Sequence, residues 1–422
     1  MKYAFRVSCT CLFFPFTLSA AFANDYATMA PARNEALRKL TTGNIVAATG
    51  DLLTEVRQTT SKDDRVADQM FGHLQLVMFS VEYLMDDAQR DAFLAEQGKA
   101  KEDQVGELID CFFEAFLPKN DEQMKVFFER LWVLAQSEDP LVAVAALFIL
   151  ADPYYTSELP IGIIARERLV KEFPDLEVTR EAVRLPFYWY RTGITPIYDR
   201  TRVITDEKPE LMMPVSEAER EYMKKDPFYL TLTRVYGEMI GGALSFENAQ
   251  PLFDALDREE DWRNRYSLLR MVEPLIKSFG PGANLRKQWA PLRDPLRRIS
   301  EREPVTPDVF RSWVLLCKIG RVNHDAEEVQ KWSTRILEQQ ARPLEHPERI
   351  LFEEAVKSVA AAAEELERSN MPREAAKLYE RLANTYPGSA VESEYRSAAE
   401  RAFAAADRAD EEKRIAVPLF AD

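Results

Sequence analysis

Histidine, cysteine and paired carboxylates carry most side-chain chemistry, and this chain is sparing with the first two. It has three histidines and four cysteines in 422 residues. His73, His324 and His346 stand in no metal-ligand spacing, and no Cys-x-x-Cys is present. Carboxylates are abundant, and Glu259-Glu260-Asp261 and Asp410-Glu411-Glu412 place them side by side. Catalytic carboxylates need a cleft that moves their pKa values apart, whereas these runs read as solvated helix ends. A Gly-rich phosphate loop, a Gly-x-Ser-x-Gly and a His-Glu-x-x-His are all missing. The remaining concentration of chemistry is Phe187-Tyr188-Trp189-Tyr190-Arg191, an aromatic platform beside a cation. An all-helical toroid acting on polysaccharide would use such a platform, but no acid or base is fixed within reach of it. The sequence therefore assigns no catalytic, cofactor-binding or metal residue.

Cys9 and Cys11 belong to an N-terminal stretch with its own logic. Lys2 and Arg6 form a basic start, Val7–Phe22 is apolar, and Ala21-Phe22-Ala23 has small residues at the two positions a signal peptidase reads. The apolar run is shorter than the ~20 residues that span a bilayer. Residues 1–23 are thus expected to be a cleaved signal peptide, the alternative being an uncleaved anchor. The mature chain is expected to begin near Asn24, in a periplasm or outside the cell, with no transmembrane segment. Cys111 and Cys317 then remain, each in an apolar helical stretch, as two buried free thiols or one long-range disulfide.

Composition narrows the partners. Acidic residues number 70 against 55 basic ones, a net charge of −15, and such a field repels nucleic acid and anionic lipid. A 46% hydrophobic share supplies ample core. Glycine, at 14 residues, is about half its usual frequency of roughly 7%. Tight strand turns need glycine, so the expected fold is all-α.

Apolar residues recur at helical spacing almost throughout. Val66, Met70, His73, Leu74, Val77, Met78, Val81 and Leu84 trace one helix, with His73 inside its core stripe. Val105–Phe116 traces another, and a third carries Met124, Phe127, Phe128, Leu131 and Leu134 as core. Leu141–Leu150, apolar all round, belongs at the centre. From Phe187 to Pro214 the period breaks, which predicts an irregular insertion between an N-terminal helical domain (24–186) and middle hairpins (215–300). Ser216-x-x-Glu219 is a capping box that restarts helix, and Ser245 can cap a later one. Pro291, Pro295, Pro304 and Pro307 suggest a soft boundary near residue 300, followed by a C-terminal domain (301–422). Its first helix pair is expected to turn at Gly320–His324.

The last hundred residues are more specific. One helix aligns Phe352, Val356, Val359, Ala363 and Leu366 on one face. Ser369-Asn370-Met371 turns the chain, and Pro372 opens a second helix with Ala375, Leu378, Tyr379, Leu382 and Tyr386, closed by Pro387-Gly388. The small pair Ala362-Ala363, then Ala375, Tyr379 and Pro387, resembles a tetratricopeptide repeat over about residues 352–406. Val359 stands where that family usually has Trp, and Leu366 where it usually has Tyr. Val391–Phe403 continues as a third helix, with the charged stretch Asp407–Arg414 as a terminal cap. The resemblance implies helical hairpins stacked as an α-solenoid, whose concave face holds a protein or peptide. The expected role is a non-catalytic scaffold for an envelope protein or peptide segment, with no cofactor; the alternative is a helical carbohydrate-active enzyme. Tyr188, Trp189 and Tyr190 are candidate partner contacts or core beneath the irregular stretch. Leu419 and Phe420, in the apolar tail, either dock on their own chain or enter a partner.

Overall fold

The structure, a computed structural model, describes residues 35–416 except 37, 41, 59–72, 75, 78, 99–103, 116–120, 152–159, 190–215, 241–248, 279–284 and 341–351. The segment expected to be a signal peptide, Tyr190, the tail with Leu419 and Phe420, the insertion expected from residue 190 onward and Ser245 lie outside the described residues.

Every element described is helical. In chain order they are α1 (Ile45–Gln58), a π turn (Ser80–Leu84), α2 (Asp87–Gly98), α3 (Gln104–Ala115), α4 (Asp121–Leu134), α5 (Pro140–Ala151), α6 (Pro160–Glu172), α7 (Glu177–Trp189), α8 (Glu217–Lys225), α9 (Pro227–Ile240), α10 (Gln250–Arg258), α11 (Trp262–Ser278), α12 (Leu285–Ser300), α13 (Pro307–Val322), α14 (Ala326–Gln340), α15 (Phe352–Arg368), α16 (Pro372–Thr385) and α17 (Ala390–Ala416). Neighbours in sequence pack as antiparallel-type hairpins: α3 on α4, α5 on α6, α13 on α14, α15 on α16. The hairpins also stack: α5 touches α7, α7 touches α11, α11 touches α13, and α13 touches α15. The fold is all-α, built by stacking helix pairs.

Local rules account for most of the elements. Leu141–Ala151 in α5 is buried on every side, as an all-apolar helix must be. Ser216 Oγ accepts the Glu219 N–H at 3.1 Å while the Glu219 carboxylate accepts the Ser216 N–H at 2.8 Å, completing the capping box. Pro372 occupies the first turn of α16, where its missing N–H costs nothing. In the α15–α16 hairpin Val359, Ala362, Ala363, Leu366, Ala375, Tyr379 and Leu382 are all buried, and Pro387 follows the helix end. Tyr379 stacks on Tyr395 of α17 with ring centroids 6.0 Å apart.

The structure departs from the sequence reading at several points. α7 runs through Pro186 to Trp189, so Tyr188 and Trp189 are helical rather than in a loop. A proline forfeits one backbone bond, and the buried face Val178, Ala182 and Val183 still anchors this helix. Pro291 and Pro295 lie inside α12, which packs directly on α13. Gly320 to Val322 finish α13, leaving a shorter turn. The charged stretch Asp407–Arg414 continues the third helix within the 27-residue α17, with Arg373 reaching Asp407 and Asp410 at 3.1 and 2.8 Å. The described end of the helix expected near Val66–Leu84 finishes as the π turn.

Buried ion pairs join hairpins whose helices are far apart in sequence. Arg166 of α6 reaches Glu219 of α8 at 2.6 Å, Arg270 of α11 reaches Glu181 of α7, and Arg311 of α13 reaches Glu354 of α15. Lys318 Nζ adds a second bond to Glu354 at 2.8 Å. Burial raises the pKa of the Glu181 carboxyl, while the guanidinium groups of Arg270 and Arg184 oppose that rise.

Candidate docking groove

α4 carries more apolar surface than one core stripe can use. Phe127, Leu131 and Leu134 point into the core. Met124, Phe128 and Trp132, at i, i+4 and i+8, form a second stripe one step round the helix. Opposite them, α6 presents Ile161 and Ile164. Together with Lys125, Glu129 and Val133 these residues line an open groove of about 800 Å³.

Its floor and rim are unlike the rest of the surface. Val133 and Ile164 of the lining are 67% and 45% exposed, and Val126, elsewhere on α4, is 50% exposed. Exposed apolar residues scattered singly need no explanation, but a contiguous patch does. Lys125 and Glu129 face each other across one helical turn at 3.8 Å, so the charged rim is self-neutralised. Arg168 stands beside Trp132: its guanidinium lies 5.6 Å from the Trp132 ring and is held by Glu172 at 2.7 and 2.8 Å. That fork with Glu172 raises the Arg168 pKa, so the group over Trp132 stays a cation. The other side of α4 is tied down by Arg130, which reaches Glu107, Asp110 and Glu114 at 2.5, 2.8 and 2.8 Å. α4 is therefore a braced wall.

The lining of the groove is mainly apolar, with Lys125 and Glu129 as its charged members. Its walls are helices, whose backbone N–H and C=O groups are bonded within the helix. Elsewhere, the most buried carboxylates are held by arginine: Glu219, Glu181 and Asp308 each face a guanidinium. Among the described residues no group of three His, Cys, Asp or Glu is placed to hold a metal ion. Cys111 on α3 and Cys317 on α13 are separate, buried free thiols, and burial pushes both up to about 12. Among the described residues no helix is long and apolar enough to cross a membrane.

Tyr188 and Trp189 are the last residues of α7, their side chains lie outside the described part, and Leu419 and Phe420 are outside the described residues. Sequence reading placed Met124 and Phe128 in the core stripe, where Phe128 is buried and Met124 packs against it, but it passed over Trp132, Val133, Ile161 and Ile164 as a surface. A signal was present: Val126, Trp132 and Val133 are apolar residues of α4 that the core stripe leaves over.

No protein-family model, curated protein or solved structure matches this chain.

Proposed function

We propose that this chain is an exported, non-catalytic helical-repeat scaffold of the tetratricopeptide type, which binds a segment of another cell-envelope protein in the α4–α6 groove. The observation that carries the reading is the open apolar groove lined by Met124, Phe128, Trp132, Val133, Ile161 and Ile164. The basic, apolar, small-residue order of residues 1–23 supports export. The buried small pair Ala362-Ala363, with Ala375 and Tyr379 facing it in the next helix, supports the repeat type.

The lining also selects the occupant's conformation. An extended peptide would bring unpaired N–H and C=O groups against walls that offer no partner, and each such group costs about 1–3 kcal/mol. An amphipathic helix satisfies its own backbone and offers side chains at i, i+3 and i+4, the pattern of helix-in-groove recognition. From Met124 to Val133 the wall rises roughly 14 Å, room for two to three turns of a partner helix. Val133 and Ile164 of the lining stay largely exposed, and a helix laid along the groove covers both where a small molecule filling the floor does not.

A photo-crosslinking residue at Val133 or Ile164 of the full chain, in the native envelope, tests this. The expected result is a discrete protein adduct whose crosslinked peptide is an amphipathic helix, lost in Trp132→Glu. Leu230 on α9, 64% exposed and outside the groove, is the control. Equal adducts from Leu230, or adducts indifferent to Trp132→Glu, would overturn the reading.

A further inference from the structure

Charges at the α4–α6 groove are paired within their own helices. Lys125 and Glu129, the charged members of the lining, pair along α4 at 3.8 Å. On α6, Arg168 over Trp132 forks with Glu172, and Glu167, one turn on from Ile164, pairs with Lys171. All three pairs join residues four apart, one cation to one carboxylate. The chain as a whole carries −15, which taken alone would favour a basic partner. Salt screens that field beyond roughly 10 Å. At contact, a partner therefore meets closed ion pairs.

Trp132 brings a donor without a partner. It lines the groove, and among the described residues no group accepts its indole N–H, which remains accessible to solvent. An indole N–H that becomes covered needs an acceptor. A helix laid over Trp132 displaces solvent, and its backbone carbonyls are bonded within the helix. The acceptor is then a side chain. A carboxylate suits this place badly, because it would enter an apolar groove near Glu129 and Glu172, whose cations are already engaged. An amide or hydroxyl oxygen brings no charge to desolvate.

Taking the groove as the binding site, we propose that the partner is an amphipathic helix whose docking face carries no charge and sets one amide or hydroxyl oxygen against the Trp132 indole N–H. Recognition is then apolar contact plus one hydrogen bond, and its strength does not follow salt.

Synthetic helical peptides are the probes. The full chain carries a photo-crosslinking residue at Ile164, or at Leu230 as background. The peptides share a leucine stripe at i, i+3, i+4 and i+7, and one further docking-face position, moved along the peptide in turn, holds Gln, Lys, Glu or Leu. A Gln peptide is expected to crosslink best in one register, with a yield that stays constant between about 0.05 and about 0.5 M salt. Trp132→Phe, which keeps a ring and removes the N–H, weakens that peptide about tenfold and leaves the Leu peptide unchanged. A Lys or Glu peptide that binds best with a salt-dependent yield would overturn the proposal and leave the groove standing. So would Trp132→Phe affecting every peptide alike or none. If no peptide crosslinks above the Leu230 background, the groove reading fails and the proposal with it.

Discussion

Arg265 of α11 donates from Nε to Asp308 Oδ2 of α13 at 2.7 Å, and the two side chains are 5% and 0% exposed. Both ends have further partners. Thr306 Oγ1 donates to the other Asp308 oxygen at 2.6 Å, and Arg265 Nη1 donates to the Glu259 and Glu260 carbonyls at 3.1 and 2.5 Å. The pair bolts one hairpin to the next, in a layer where an unpaired charge has no access to water.

Asp308→Ala therefore strands a buried guanidinium, and urea denaturation is expected to show a loss of about 3–5 kcal/mol. Replacing both partners, Arg265→Met with Asp308→Leu, is expected to cost much less than the two single changes added together. A double variant as unstable as that sum would show that the pair itself, rather than the orphaned charge, supplies the stability.

Two helical glycines are expected to respond oppositely to alanine. A Cβ at Gly320 meets Val329 Cγ2 at 3.1 Å, Val329 N at 3.2 Å and Glu328 Cβ at 3.3 Å, where α13 lies against α14. Gly320→Ala should lower stability by about 1–3 kcal/mol through that overpacking. A Cβ at Gly50 meets nothing within 4 Å, so Gly50→Ala should raise stability by about 0.5–1 kcal/mol. Thermal melts of the two variants, moving in opposite directions, check both.

The thiols at Cys111 and Cys317, held up near 12 chiefly by burial, should resist alkylation at pH 8 in the folded chain. Both should label fully once the chain is unfolded without reductant. The linkage has a definite sign. An unfolded thiol ionises near 9, so the folded state keeps protons that the unfolded state loses. Stability is then complete below about pH 9 and falls as pH rises toward about 12. Labelling counted by mass, together with melts between pH 8 and 11, tests this; a missing label after unfolding would mean the two cysteines are joined.

Glu219 does two jobs at the start of α8: it closes the capping box with Ser216, and it holds Arg166 of α6 at 2.6 Å with its side chain wholly buried. Ser216→Ala removes one cap bond and should cost about 1 kcal/mol. Glu219→Gln weakens both the cap and the ion pair and should cost clearly more. Denaturant midpoints of the two variants rank them.

Much of the helical order was legible because it rests on local spacing. The α15–α16 hairpin follows the repeat of Val359, Ala363 and Leu366 and the punctuation of Pro372. The capping box at Ser216 named the start of α8. Local punctuation misled where packing outweighed it: Pro186, Pro291 and Pro295 sit inside helices because the apolar faces around them bury enough surface to outweigh a lost backbone bond. The groove was half legible. Its residues stood in plain sight on α4, but core and docking stripes share one helical period, and only the position of α6 separates them.

By itself the sequence determined an acidic, all-helical chain and the limits of most of its helices, since helix formation depends on residues three and four apart. Only the tertiary structure decided which leftover apolar stripe faces solvent, which arginine finds which carboxylate, and that Gly43 lies against Gly388. Those contacts join residues tens to hundreds of positions apart, and no local period records a partner at that distance.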